Sequence, residues 1–306
     1  VTVSSGGSVL VSGGGALLGQ TTSSGGTEII FSGGTDSRGA VKAGGTAVVS
    51  SGGLLVGEAI NSGGNLALLS GAVLSGAVTV SSGGTLWLSA GASASGASLR
   101  AGSIETLLSG ASTGGALADG VRLVVSSGAT AAAALVSGTI TEIVSSGGYA
   151  ISGVLASGGT ETLLSGATAV GDTVGNGAQL AVSAGGTASA ATLLAGGALS
   201  VLSGGTALSV TVGNGATLGV VAGAIVSGTR VGGGGSELVS GGVATGGALL
   251  SGGSATLVAG GSVLGLVVSQ GAVLGVTSGT VASSTVVDGM ELSLIHISEP
   301  TRQAEI

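Results

Sequence analysis

Carboxylates are the side chains of this 306-residue chain most able to do chemistry, because it holds thirteen Asp and Glu residues against one His and no Cys. Five of the glutamates recur at similar distances from a repeated glycine. Glu28, Glu105 and Glu161 stand three residues after such a glycine. Glu142 and Glu237 stand four residues after one. Two carboxylates at one groove could act as general acid and base in polysaccharide cleavage, but each of these glutamates lies in a different copy of the repeat. The sequence therefore supports no catalytic pair.

The orientation expected for these glutamates depends on the strand in which they lie. Strict alternation of side chains along a β-strand would turn Glu28, Glu105 and Glu161 inward. We expect the nearby corner to rotate these three outward instead, so that all five glutamates are solvated and oppose aggregation. The alternative is a weak cation-binding or partner-binding ladder along one side of the repeat.

The remaining chemical motifs are weaker. Asp36, Arg38 and Lys42 form the densest charge cluster and predict a solvated loop, with an adhesive contact as the alternative. The run Gly232–Gly235 is not followed by the Lys-Ser/Thr of a phosphate-binding loop and predicts a loose corner. Calcium-binding nonapeptide repeats need an Asp in every copy, and its absence means that calcium is not implied. Five threonines recur two residues after a corner glycine: Thr27, Thr46, Thr85, Thr160 and Thr217. An ice-binding surface would need a flat Thr-x-Thr lattice, which most copies lack. We predict no catalytic, cofactor-binding or metal-binding residue, no cofactor, and a protein that is not an enzyme.

A repeat of about 19 residues positions all of these side chains. Glycines recur in two series of fifteen members, with steps of 18 to 20 residues, and a weaker third series follows the second. The series begin at Gly6 and Gly25, at Gly13 and Gly33, and at Gly19 and Gly39. Glycine suits a sharp turn between extended segments because it reaches positive φ without steric cost. Each copy is therefore predicted to have three corners and three short sides.

The side between the first and second corners alternates like a strand. The fifth residue after each glycine of the first series is a large aliphatic residue in all fifteen copies: Val11, Ile30, Val49, Leu68, Leu88, Leu107, Val125, Ile143, Leu163, Val182, Val201, Val220, Leu238, Leu257 and Val276. The residue before it is mixed, which indicates a half-buried strand. Helix is disfavoured because glycine in a helix interior costs ~1 kcal/mol per residue. The predicted fold is all-β, a parallel β-helix, or solenoid, of about fifteen 19-residue coils with three Gly/Ser-rich corners per coil.

Composition narrows the possible partners. The formal net charge is −7 with only six Lys and Arg, which argues against binding to nucleic acid or to an anionic membrane. Glycine and serine interrupt every apolar run before it reaches the roughly 18 residues that a transmembrane helix needs. The absence of Cys excludes disulfides and thiolate-bound metals.

Paired SGG corners flank a short strand in SSGGTLWLSAG (Ser81–Gly91) and in ASGGTETLLSG (Ala156–Gly166). This pattern resembles the passenger repeats of AIDA-type self-associating autotransporter adhesins. The resemblance implies a right-handed β-helix on the bacterial cell surface, held by a C-terminal β-barrel in the outer membrane. It also implies roles in cell-cell aggregation, adhesion and biofilm formation, O-linked heptose on some Ser and Thr, and partners that are either a second passenger or a host glycan or protein receptor. The alternative is a structural stalk that presents a functional domain.

The C-terminal residues differ from the repeat. LSLIHISEPTR (Leu292–Arg302) holds the only His and the only Pro of the chain and reads as the in-frame translation of a sequencing-library adapter. We therefore assign residues 1–290 to the solenoid and residues 291–306 to adapter read-through. The chain is interpreted as a fragment that lacks its leader and its barrel.

Overall fold

The computed structural model describes residues 1–93, 95 and 97–287. All regular secondary structure in this part of the chain is β, and every strand pairing is parallel. Two compact units are formed, Val1–Val170 and Gly171–Ile306. The prediction of a parallel β-solenoid with about fifteen coils at a spacing of about 19 residues is confirmed. Within the described residues, no helix is long and apolar enough to cross a membrane.

Most coils contribute one strand to each of three faces. Face 1 carries the longest strands. In the first unit they are Ser8–Val11, Thr27–Ile30, Thr46–Val49, Asn65–Leu68, Thr85–Leu88, Ile104–Leu107, Arg122–Val125, Thr141–Val144 and Thr160–Leu163. In the second unit they are Gln179–Val182, Ala198–Val201, Thr217–Val220, Ser236–Ser240, Ser254–Val258 and Val273–Val276.

Faces 2 and 3 carry shorter strands. Face 2 of the first unit has Ala16–Leu18, Thr35–Ser37, Leu54–Val56, Val73–Ser75, Tyr149–Ile151 and Thr168–Val170. Face 3 of the first unit has Thr2–Val3, Thr21–Thr22, Ala40–Val41, Ala59–Ile60, Val78–Val80, Ala97–Leu99 and Val154–Ala156. Two further strands, Ser112–Ala116 and Thr130–Ser137, run from face 2 into face 3.

The second unit repeats this arrangement. Its face 2 has Thr187–Ser189, Thr206–Leu208, Ile225–Ser227, Val243–Thr245, Ser262–Leu264 and Val281–Ser283. Its face 3 has Thr173–Val174, Thr192–Leu193, Thr211–Val212, Arg230–Val231, Ala248–Leu249, Val267–Val268 and Val286–Val287.

The core of each unit is a set of aliphatic rows. Along a face 1 strand the second and fourth residues point inward and the first and third point outward, as the alternation of side chains in a strand requires. Leu66 and Leu68 are fully buried, and their register partners Leu86 and Leu88 continue both rows into the next coil. Burial of such side chains stabilises the coil-to-coil contacts by roughly 2 kcal/mol each.

The glycine doublets at the corners have two separate physical causes. Gly25 has a φ of 80°, which is costly for any residue with a Cβ. The φ of Gly26 is not positive, but a Cβ there would overlap the carbonyl oxygen of Val3 in the preceding coil. The first glycine therefore allows the turn, and the second allows successive coils to stack closely.

The glycine series of the third corner is weak because its left-handed position also accepts other residues. Its left-handed position is occupied by Gly19 in one coil but by Arg38, Ser152 and Ala190 in others, with φ between 54° and 58°. In the second copy it is Arg38, not the predicted Gly39, that takes the left-handed conformation. A non-glycine residue there costs roughly 1 to 2 kcal/mol, which the pairing on both sides of the corner must offset.

Twelve of the fifteen aliphatic residues predicted to face the core are buried. The prediction is wrong by one residue at Ile143 and Leu238, whose neighbours Val144 and Val239 occupy the inner row instead. The cause at Leu238 is the corner Gly232–Gly235, where Gly234 and not Gly233 matches the first glycine of other corners. Val276, on the last strand of face 1, is half-buried.

Candidate functional site

The glutamates of the repeat point into the solenoid. Glu28, Glu105, Glu142, Glu161 and Glu237 are each at most 4% exposed. The prediction that all five glutamates face the solvent, three of them turned outward by the nearby corner, is therefore wrong. The corner ends before the strand begins, so the alternation of the strand decides their direction.

All five glutamates occupy the same inner row of face 1, at the second position of the strand. In the first unit the row runs through Val9, Glu28, Ala47, Leu66, Leu86, Glu105, Leu123, Glu142 and Glu161. In the second unit it runs through Leu180, Leu199, Leu218, Glu237, Ala255 and Leu274. The offset of one residue seen for Glu142 and Glu237 in the sequence arises because the counted glycine stands one place earlier in a turn of ordinary length, and it does not change their direction.

Burial changes the acidity of these groups. Desolvation raises the pKa of Glu237 to about 7, because the charged form loses its hydration inside the aliphatic row. Desolvation likewise raises the pKa of Glu105, and a hydrogen bond with the Thr113 side chain opposes this effect. Glu237 Oε1 has no hydrogen-bond partner. Glu237 is therefore held as a neutral acid over part of the physiological pH range.

One region of the first unit concentrates polar groups inside the solenoid. Glu28 on face 1, Asp36 on face 2 and Glu58 before a face 3 strand each offer one carboxylate oxygen, and these oxygens lie within 4.8 Å of one another. The Gln20 side chain lies among them. Its Nε2 donates to Glu28 Oε2 at 2.5 Å, to Asp36 Oδ2, and more weakly to Glu58 Oε1 at 3.5 Å. We call Gln20, Glu28, Asp36 and Glu58 the carboxyl cluster.

The carboxyl cluster is electrostatically unusual because like charges meet in a desolvated space. Burial, followed by the effects of Asp36, raises the pKa of Glu28 to about 8. Burial and the charges of Asp36 and Glu28 raise the pKa of Glu58 to about 9. All four side chains are at most 1% exposed. Without a counterion, the cluster must hold protons at neutral pH.

The second charge cluster expected from the sequence is separated by the fold. Asp36 was predicted to lie in a solvated loop with Arg38 and Lys42, and this prediction is wrong, because Asp36 is the inward residue of the strand Thr35–Ser37 and is fully buried. Arg38 and Lys42 are exposed. The corner thus divides the three residues between the interior and the solvent.

Sequence reasoning missed Gln20 and Glu58 as members of the cluster. Both directly precede a face 3 strand, and they lie two coils apart with Gly39 at the same position between them. A Cβ on Gly39 would overlap the Gln20 carboxamide, so the glycine leaves the space that the cluster occupies. The sequence does hold a signal that could have found them. Gln20 and Glu58 lie two repeats apart, and the equivalent residue of the repeat between them is Gly39, which has no side chain to fill the space.

Charge is distributed unequally between interior and surface. Among the described residues, eight of the nine Asp and Glu are buried and only Asp119 is exposed. All five Lys and Arg of the same residues are exposed: Arg38, Lys42, Arg100, Arg122 and Arg230. The formal charge of −7 is therefore a poor guide to the described surface, whose charged side chains are mostly basic.

The other motifs lie on the outside. Gly232–Gly235 forms a corner between the strands Arg230–Val231 and Ser236–Ser240, as predicted, but it is not loose, because Gly235 N donates to Gly232 O at 2.9 Å as at other corners. Thr27 and Thr46 begin face 1 strands with half-buried side chains, and Thr160 Oγ1 donates to Thr141 Oγ1 at 3.3 Å.

The carboxyl cluster, by contrast, is closed to large molecules. A polymeric substrate cannot reach its carboxyl groups, because all four side chains are at most 1% exposed.

Comparison with solved structures identifies a similar protein. The chain is 30% identical to a TibC-catalysed hyper-glycosylated fragment of TibA, with a TM-score of 0.61. The match covers 94% of this chain and 97% of the TibA fragment. An endo-xylogalacturonan hydrolase from Aspergillus tubingensis matches at 11% identity over 87% of this chain and 86% of its own length, and its TM-score of 0.13 is too low to carry an argument. No family model and no curated protein matches the sequence.

Proposed function

Since the chain belongs to the passenger repeats of the AIDA-type autotransporter adhesins, we propose that it mediates cell-cell aggregation or adhesion through the outer faces of its β-helix, without catalysis. The observation that carries the proposal is the 30% identity to the TibA fragment over nearly the whole chain. Membership of this family implies a cell-surface or extracellular location. Anchoring to the outer membrane through a C-terminal β-barrel is part of the proposal.

The outer surface suits association by many weak contacts. Face 2 of the second unit presents a row of aliphatic side chains in register, in which Ile225 is 48%, Val243 is 38% and Val281 is 57% exposed. Ser262 takes the same position in the coil between Val243 and Val281. Each such contact contributes little, but three exposed aliphatic side chains on one line of the face allow several contacts to form together. We propose this row as a self-association surface between passengers of neighbouring cells.

The corner serines support a second part of the proposal. Ser51, Ser82 and Ser127 are exposed, and each hydroxyl lies over a glycine of the next coil, so no side chain covers it. The similar TibA fragment is hyper-glycosylated. We propose that corner serines of this chain accept O-linked sugars, which would be found as hexose or heptose mass increments on corner peptides after co-expression with a suitable glycosyltransferase.

The aggregation proposal can be tested by displaying the chain on cells that do not aggregate and measuring their sedimentation. A triple variant with Ile225, Val243 and Val281 replaced by Thr keeps β propensity but removes the apolar row, and we expect it to sediment more slowly. Leu238→Thr with Val273→Thr, which changes exposed residues of face 1, is the matched control and should sediment like the parent. If displayed, folded parent chains leave the cells dispersed, the stalk alternative is favoured and the proposal fails.

A further inference from the structure

The carboxyl cluster is built from four interior rows that become polar in adjacent coils. In the row of face 1, Glu28 stands between Val9 and Ala47, and in the row of face 2, Asp36 stands between Leu17 and Leu55. The aliphatic row of face 3 is likewise interrupted, by Thr22 between Val3 and Val41. Gln20 and Glu58 occupy the row that precedes face 3. Polar residues of four rows therefore meet within three successive coils, whereas the rows of the three faces are aliphatic in the neighbouring positions.

Five oxygen atoms in this region are left without a hydrogen-bond partner. They are Glu28 Oε1, Asp36 Oδ1, Glu58 Oε2, Gln20 Oε1 and the Thr22 hydroxyl, which makes no hydrogen bond of normal geometry although it lies beside Glu28. The Gln20 and Thr22 oxygens are neutral, and both side chains are at most 1% exposed. A buried polar atom without a partner costs roughly 1 to 3 kcal/mol, so an interior holding five of them is strongly destabilised unless something binds there.

The size and chemistry of the cluster match a hard divalent cation. Oxygens that surround Ca²⁺ lie about 2.4 Å from it, so opposite ligands are separated by about 4.8 Å. The three carboxylate oxygens fit within that separation. Carboxylates with neutral amide and hydroxyl oxygens form an all-oxygen ligand set, which favours Ca²⁺ or Mg²⁺ over transition metals. Mg²⁺ usually retains several waters, for which a site sealed from solvent offers little room.

We propose that Glu28, Asp36 and Glu58, assisted by Gln20 and Thr22, bind one Ca²⁺ inside the first unit. Its two charges would neutralise most of the carboxylate charge that the interior otherwise has to hold as neutral acids. The nearest basic residues in sequence, Arg38 and Lys42, are exposed and cannot take this role. The ion would link three successive coils and is enclosed as they fold. This inference does not depend on the proposed adhesive function.

The test is the metal content of the full chain after refolding. The protein is unfolded in EDTA, refolded with CaCl₂, freed of unbound metal, and analysed by atomic emission. We expect one Ca²⁺ per chain and a higher Tm than for protein refolded in EDTA. Asp36→Asn and Glu58→Gln should each bind Ca²⁺ about tenfold or more weakly, because affinity follows the number of ligand charges.

Two further variants keep the result interpretable. Glu105→Gln removes a buried carboxyl of the same inner row in another coil and should keep the bound Ca²⁺. Gly39→Ala leaves every carboxylate in place but adds a methyl group that displaces the Gln20 carboxamide, and it should weaken binding. Circular dichroism confirms that each variant is folded. The proposal is overturned if the folded parent chain holds no Ca²⁺, or if Asp36→Asn, Glu58→Gln and Gly39→Ala all bind it as the parent does.

Discussion

The inward direction of Glu237 makes a quantitative prediction about stability and pH. Desolvation raises its pKa from 4.5 to about 7. Because the pKa is raised in the folded state, the stabilising contribution of the neutral acid is complete below about pH 4.5 and is lost as the pH rises through about 7. At about 1.4 kcal/mol for each pKa unit, the loss amounts to about 3 kcal/mol.

The perturbation is Glu237→Gln, which keeps the shape of the side chain and cannot ionise. Burying the amide adds a constant cost at every pH, so the informative quantity is the change in the stability difference with pH. We expect the free energy of unfolding of the parent to fall relative to Glu237→Gln by about 3 kcal/mol between about pH 4 and pH 8. Other buried carboxyl groups contribute equally to both proteins and cancel.

The assay is hydrogen exchange of the strand Ser236–Ser240, because repeat proteins can unfold in segments and a global transition would average over them. After correction for intrinsic exchange rates, the ratio of protection factors should change by about two orders of magnitude over this pH range. Leu238→Gln alters the outward neighbour on the same strand and should show a ratio independent of pH. An equally flat ratio for Glu237→Gln would refute the inward, desolvated placement.

Three further outcomes follow from the fold, each measured as a loss of hydrogen-exchange protection in the strands around the changed residue. Leu66→Ala removes a fully buried side chain and should cost about 3 kcal/mol, and a cost below 1 kcal/mol would contradict its place in the core. Gly253→Ala should cost about 2 kcal/mol or more, because the new Cβ overlaps the carbonyl oxygen of Val231, and a neutral result would contradict the close stacking of coils. Asp119→Asn should destabilise the first unit at neutral pH but not in acid, since hydrogen bonds from Thr139 lower the pKa of Asp119, and an effect that persists in acid would contradict this.

Most of the architecture was predictable because the same pattern of glycine and aliphatic residues recurs in nearly every coil. A glycine that needs positive φ and an aliphatic residue five positions later recur often enough to define strand, corner and inner row. The errors at Ile143 and Leu238 arose where the counted glycine stands one place earlier in the turn than in other coils. Counting from a glycine cannot reveal which residue of a corner such as Gly232–Gly235 holds the matching place. The register is set by the strand pairing between coils, which the structure shows and the spacing of glycines in the sequence does not.

The carboxyl groups were misplaced for a different reason. Alternation alone turned Glu28 and Glu105 inward, but the cost of burying a charge argued for the outside, and the two considerations conflicted. The fold resolves the conflict by raising the pKa values of both groups, which favours the neutral acid in the interior. The meeting of Glu58 with Asp36 was not predictable, because it depends on which side chains converge from different faces and on the space left by Gly39.

The measurement that tests the functional account most directly uses the purified chain without any cell. Two populations of beads in different colours are coated with the folded chain, mixed, and scored for mixed clumps. Self-association through the outer faces predicts clumps that contain both colours and that disperse when excess free chain is added. Beads that stay separate, although circular dichroism shows folded β-structure on the coating protein, would contradict the account.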